Sequence, residues 1–487
     1  MKTKLYILLF AILAFSNVLQ AGKIKIGSLF YSLNYTLPCT AEVTFGNDKY
    51  SGDIVIPSTI TYEGTTFTVT SIGENAFSEC AGLTSVSIPN TVTNIGEGAF
   101  WVCTNLTAIT IPNSVTSLGR AFGYCSGLTE VTIPNSVTSN IESHTFYGCS
   151  SLITATIGNS VPMISASAFE DCISLASVAI GDQVTDIGES AFGNCTSLKT
   201  VILGNSVTKI WERAFENCSS LTTVNIPNNV KSFGERAFYG CKLSSINFPN
   251  SLTDIGEDAF YGCEFTSVTI PNSVTYIGES AFYACKKITS FVVGDLNPNY
   301  CAVDGVLFNK DKTILIQYPV GNTATTYQIP NNVVSIGKQA FASGNNLQSI
   351  DIPNSVENIG QGAFFRCENL TSITIPENVT SMGVYAFGYC WGLNFVTCYA
   401  SIPPQLGVYA FFDIFEIPLY VPAASINAYK AADQWKDFYN IYSIDDLPTS
   451  IENVMPDIPD VTKFLRNGQI FILRGDRTYT LTGQEVR

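Results

Sequence analysis

Fifteen cysteines carry most of the reactive chemistry in this chain, and their spacing is regular. Twelve stand three places after a phenylalanine, at 80, 103, 125, 149, 172, 195, 218, 241, 263, 285, 367 and 390, and Gly344 interrupts the series. In an exported chain such a set could form a disulfide framework. Three facts weigh against it. The total is odd, a repeating column points every thiol the same way, and a bridge needs Cβ vectors that turn toward each other. Small buried hydrophobes in a stack are the favoured reading. No Cys-x-x-Cys occurs, so a metal or redox motif has little support.

His144 is the single histidine. A zinc site or a Ser-His-Asp triad would hang on it alone, and such sites need convergent partners. A repeat-surface role is expected. Glu74, Glu97, Glu142, Glu189, Glu212, Glu235, Glu257 and Glu279 form an acidic column. Paired carboxylates suit glycoside hydrolysis or calcium. The favoured account places each at the start of a helical turn, where the dipole welcomes negative charge. No Walker-type glycine loop is present. Arg474, Gly475 and Asp476 spell RGD, read here as an ordinary hairpin turn. No catalytic residue, cofactor or metal is called for.

The remaining chemistry is a row of hydroxyls and amides. Thr110, Thr132, Thr156, Asn225, Asn247, Thr269, Asp351 and Thr374 are the candidate ligand-binding residues. Ser85, Ser87, Thr154, Thr200, Thr223, Ser245, Ser267, Ser349 and Ser372 extend the row, while Ala179, Ile202 and Val292 interrupt it.

A repeating unit must position them. Its anchor is an Ala-Phe (once Thr-Phe) pair with Phe at 77, 100, 122, 146, 169, 192, 215, 238, 260, 282, 341, 364 and 387, and a degenerate copy at 411. The steps are 22 to 24 residues, with one gap of 59. A fixed period of this size means a solenoid. In the copy LTTVNIPNNVKSFGERAFYGC, Leu221 to Cys241, the spacing LxxVxI fits a short strand. Val224 and Ile226 face inward and Asn225 outward. Pro227 blocks continuation. Val230 and Phe233 return the chain, and Gly234 and Glu235 open a short helical turn bearing Ala237 and Phe238. No unit buries its apolar face alone, so neighbours must stack. The expected fold is a leucine-rich-repeat arc with one short strand per repeat on the concave face, and turns and short helical segments behind it. Solenoids bind through such concave faces.

The net charge of −15 argues against nucleic acid and anionic membrane surfaces. Composition, 46% hydrophobic with 13% charged residues, suffices for a core. Residues 1–21 read as a signal peptide, with Lys2 and Lys4, an apolar run from Leu5 to Phe15 and a cut after Ala21. No later segment is a transmembrane candidate. Residues 22–70 read as a β-rich cap, and 71–411 as the solenoid with an inserted β-hairpin at about 297–319. Residues 412–444 read as a C-terminal cap, and 445–487 as a linker and small β tail.

The repeats resemble the BspA-like, or treponemal-type, leucine-rich repeats of bacterial surface proteins. The match approaches IPNSVTSIGxxAFxxCxxLxxVxI and is clear from Ile111 to Phe122, Ile270 to Cys285 and Ile352 to Cys367. The stretches YSGDIVIPSTITYEGTTFTVTSIGENAF, VDGVLFNKDK and YVPAASINAYKAADQW also resemble recurring features of that family. The last stretch, NGQIFILRGDRTYTLTGQEVR, is similar to C-terminal tails of exported proteins. The resemblance implies export, a cell-surface or extracellular location, and non-catalytic adhesion to host matrix proteins or other cells. A structural, self-associating surface protein and a glycan-binding accessory factor are the alternatives.

Overall fold

The computed structural model describes residues 22–447 and the backbone of four antiparallel strands within 461–486. The expected signal peptide, most of the expected linker, and Gly475 and Asp476 of the expected hairpin turn lie outside the described residues. The chain winds into a parallel β-solenoid of about 16 turns. Each turn has three sides: two pair with their neighbours as parallel strand ladders, and the third bonds in another way.

The first side is the LxxVxI segment. Glu130–Ile133, Thr154–Ile157, Ser177–Ala179 and Thr200–Ile202 pair in parallel, with Thr132 opposite Thr156. Alternation decides what is buried: Val131 and Ile133 face the core while Glu130 and Thr132 face water. This ladder is not continuous. No named strand covers 106–111, 221–227 or 241–249. From Cys241 to Leu243 the chain is one residue shorter than from Cys218 to Leu221, and the LxxVxI positions after it keep their alignment with the turn before. Pairing there shrinks to Lys242 N on Leu221 O and Ser244 N on Thr222 O, both 3.0 Å.

The second side is a further ladder beyond the one strand per repeat expected. Met163–Ile164, Asp186–Ile187, Lys209–Ile210, Ser232–Phe233, Asp254–Ile255 and Tyr276–Ile277 pair in parallel. Each buries its second residue wholly or in large part.

The third side is the Ala-Phe segment, where the structure corrects the expected helical turn. Among the described residues, helices occur only between 423 and 446. In every repeat with an anchor Phe except that of Phe122, where Arg120 departs, the residues two before and two after the Phe take positive φ, as in Arg213 (53°) and Asn217 (58°). An α-helix would turn every N–H back on the carbonyl four residues earlier and leave none for the neighbouring turn. Here the N–H groups divide. Arg213, Phe215 and Asn217 donate to Glu235, Ala237 and Tyr239 of the next turn at 2.8, 2.8 and 2.7 Å. Ala214, Glu216 and Cys218 donate three residues back within their own turn. Left-handed backbone costs about 1 kcal/mol for a residue with a Cβ, a cost comparable to the gain from one buried hydrogen bond. The glutamate carbonyls therefore serve as acceptors between turns, and without a helix the dipole account of the acidic column does not apply.

The Phe rings stack behind these segments. From Phe77 to Phe282 successive centroids lie 4.9–5.8 Å apart, with ring planes within 13° of parallel. Each column thiol after Cys80 completes the link, as when Cys218 Sγ donates to Phe192 O at 3.2 Å. All fifteen cysteines are free.

The 59-residue gap conceals one repeat. Tyr318 lies 23 residues before Phe341, stacks on it at 5.1 Å, and donates its N–H to Ala340 O as a Phe would. Before it, Tyr300–Val303, Val306–Asn309 and Ile314–Gln317 form an antiparallel sheet whose last strand opens a parallel ladder with Ser335–Ile336. The N-terminus is built alike: Ile24–Ile26, Leu29–Asn34 and Thr40–Thr44 run antiparallel before Thr40–Thr44 pairs in parallel with Thr65–Ile72. The inserted strand divides the core by alternation. Leu307 packs with the first hydrophobic cluster, and Val306 and Phe308 with the second. Lys338 spans the junction to Glu257 (2.7 Å) and Glu279 (3.2 Å). Ser280 Oγ, Tyr318 Oη and Gln339 Oε1 are buried near it without partners.

Two clusters meeting at one strand should fail separately. Phe308→Ala is expected to cost about 3–5 kcal/mol and to fall on the C-terminal stack. Hydrogen exchange read by mass spectrometry should show turns 329–411 opening first while turns 77–260 keep their protection. Equal loss of protection in both stacks would show a single cooperative unit.

Candidate functional site

All eight candidate ligand-binding residues are exposed, but they do not form one continuous row. Thr132 and Thr156 are register partners. Thr110, Asn225 and Asn247 lie in the stretches without strand pairing. Thr269 pairs with Val292, which is half exposed, and Asp351 pairs with Gln328, whose amide donates to it at 3.2 Å. Thr374 sits beside the buried Thr397. The hydroxyl run that starts at Thr132 ends after Thr156, because the next rungs are Ala179 and Ile202.

Thr110, Thr132 and Thr156 line one open trough of about 740 Å³. Its floor is Ile109, Ile111, Ile133 and Ile157 with Pro112 and Pro134, and Glu130 is its one charged lining residue. The far wall went unanticipated: it is the asparagine that follows the strand in each turn, at 90, 113, 135 and 159. These side chains brace the corner. Asn135 Oδ1 accepts from Asn159 N at 2.7 Å, and Asn159 Oδ1 accepts from Asp182 N at 3.1 Å. The Nδ2 groups of Asn135 and Asn159 keep the capacity to donate outward. The recurring Ile-Pro-Asn, whose Pro-Asn marks the turn after the strand, is the sequence signal for this wall.

The other chemical candidates are not gathered into a site. His144 sits at φ 62° with its ring 5.4 Å from that of Tyr147. Among the described residues, no three His, Cys, Asp or Glu side chains are placed to hold a metal ion. The column glutamates point to solvent, except Glu257, which is half buried against Lys338. Burial disfavours the charged thiolate and pushes Cys285 and Cys367 up to about 12. No helix among the described residues is long and apolar enough to cross a membrane.

The BspA type leucine rich repeat profile, in six copies, matches residues 44–139, 119–241, 210–301 and 320–419. With more than half its length matched, the chain belongs to the BspA-type leucine-rich-repeat family. It is similar to a leucine-rich repeat protein from Bacteroides ovatus, with 26% identity over 86% of this chain and 99% of that one and a TM-score of 0.57. It is also similar to a leucine rich cell surface protein from Faecalibacterium prausnitzii, with 26% identity over 87% and 95% of the two chains and a TM-score of 0.40. No curated protein matches it.

The raised thiol values set a pH dependence. A thiol held neutral in the folded state adds stability that is complete below its unfolded value of about 8.5 and is lost as pH climbs toward the folded value. Thermal unfolding should therefore move to lower temperature above about pH 9. At pH 8, iodoacetamide should label the half-buried Cys39 in native protein and the column cysteines only after denaturant, as peptide mass spectrometry would record. Stoichiometric native labelling of the column would contradict this packing.

Proposed function

We propose that the chain is an exported, surface-associated binding protein without catalytic activity. Its partner is a protein of the host matrix or of another cell. The partner lies along the long-strand ladder, with the trough at Thr110, Thr132 and Thr156 as its seat. One observation carries the reading: register pairing brings hydroxyls from successive turns into a single trough walled by asparagine amides. A surface of hydroxyls and amides with one carboxylate and no lysine or arginine suits a polypeptide's own amides better than an anionic ligand. Membership of the BspA-type repeat family supports the location.

Binding of the mature chain to immobilised fibronectin, laminin and collagen, read by interferometry, tests the proposal. Thr132→Lys with Thr156→Lys should weaken the interaction on the order of tenfold, about 1.4 kcal/mol, while leaving the fold intact, because both side chains face water. Removing 445–487 should leave affinity unchanged. Loss on removing the tail, with the threonine variants unaffected, would move the function to the tail.

A further inference from the structure

Three consecutive turns, anchored by Phe364, Phe387 and Phe411, carry side chains that the repeat does not require. The residue after the anchor Phe is aromatic in several turns, as at Trp101, Tyr147, Tyr239, Tyr261 and Tyr283, and here it is Phe365, Gly388 and Phe412, so the distinction of this region lies at other positions. At the two left-handed positions other turns use residues such as Ser167 and Asn194, with φ of 55° and 57°, and a lone tyrosine at Tyr124, whereas this region gathers Tyr385, Tyr389 and Tyr409 at 53°, 59° and 61°. Bulky side chains raise the cost of left-handed backbone, and glycine or asparagine would lower it. Backbone geometry thus argues against tyrosine there, and a thin cluster on the surface gains little from burial, since Trp391 and Tyr409 stay 52% and 49% exposed.

The rings form a rigid surface. Trp391 stands 5.6 Å from Tyr389 at 80°, so the two make an L-shaped wall. The indole N–H of Trp391 donates to Asp413 Oδ2 at 2.7 Å, which fixes the ring plane. Phe412 packs 5.1 Å from Tyr389 and 5.3 Å from Tyr409, and the Arg366 guanidinium sits 5.6 Å from Tyr389. The charged groups in these contacts are one cation and one carboxylate, so the patch is locally neutral on a chain of net charge −15.

We propose that this platform is a second binding site, separate from the trough, for neutral hexopyranose rings of a polysaccharide. A pyranose presents an apolar C–H face and a rim of hydroxyls. The Trp391 and Tyr389 faces match the first, and Asp413, Arg366 and the Tyr409 hydroxyl match the second. Extent decides against a protein partner. Three turns at ~4.8 Å span on the order of 10 Å, whereas a stable protein interface covers about 800 Å² on each side.

The test is native electrophoresis of the full mature chain in gels cast with hydroxyethylcellulose, laminarin, yeast mannan or galactomannan. Retardation is expected in at least one gel. Trp391→Ala and Tyr409→Ala should each abolish it, a loss of tenfold or more in affinity, at unchanged thermal unfolding. Trp391→Phe, which keeps a ring, should bind with intermediate affinity and guards against a folding artefact. Thr132→Lys with Thr156→Lys should leave retardation intact whether or not the trough binds protein. No retardation in any of the four gels overturns the proposal, as does retardation that survives both alanine variants. Loss of a protein partner in those variants, with no gel retarding the chain, assigns the platform to protein contact and also overturns it.

Discussion

Arg213, Phe215 and Asn217 donate their backbone N–H groups to the turn that follows, and Ala214, Glu216 and Cys218 keep theirs at home. The division is the constraint on which the rest depends. A turn that satisfied all its own donors would be a helix, able to stand alone but bonded to nothing above it. A turn that gave all of them away would have no shape of its own. Left-handed residues on either side of each Phe set the division, which explains why Asn, Asp, Ser and Gly recur there. The Phe column, the thiol-to-carbonyl link and the two strand ladders all take their spacing of about 4.8 Å from this arrangement.

A solenoid of this kind is stable only by neighbour contacts, so an interruption has consequences beyond its own residues. The sheet from Tyr300 to Gln317 is such an interruption, and it is built like the start of the molecule. Its central strand faces two ways, Leu307 to one cluster and Phe308 to the other. The junction carries the fold's exceptions: a tyrosine in the phenylalanine column, buried polar atoms without partners, and a lysine reaching back to two glutamates. A single long chain is thereby divided into two stacks without a flexible linker.

The binding surfaces follow from the same geometry. Residues that face outward on a ladder are free of packing demands, so their identity can answer to a partner. Register puts Thr132 beside Thr156, and the corner asparagines, which brace the backbone with their carbonyl oxygens, leave amide donors at the rim of the same trough. At the Ala-Phe edge of the C-terminal stack, three left-handed tyrosines join Trp391 and Phe412 in a set of interlocked rings.

Periodicity alone determined the solenoid, the inward residues of each unit and the buried column of cysteines, because a repeated apolar pattern has one efficient way to be buried. It also marked Thr110, Thr132 and Thr156 as outward-facing. It did not reveal the second ladder, since a two-residue strand such as Asp186–Ile187 is shorter than any periodic signal. It misread the Ala-Phe segment as helical, because local spacing cannot say whether an N–H will bond within its turn or to the next. It passed over Tyr318, whose flanking residues break the motif although the ring keeps its place in the stack. It could not foresee that the ladder would be interrupted at Asn225 and Asn247, or that residues from three successive turns would meet in one trough. Those outcomes depend on register between turns, and register is settled only when neighbouring turns pack.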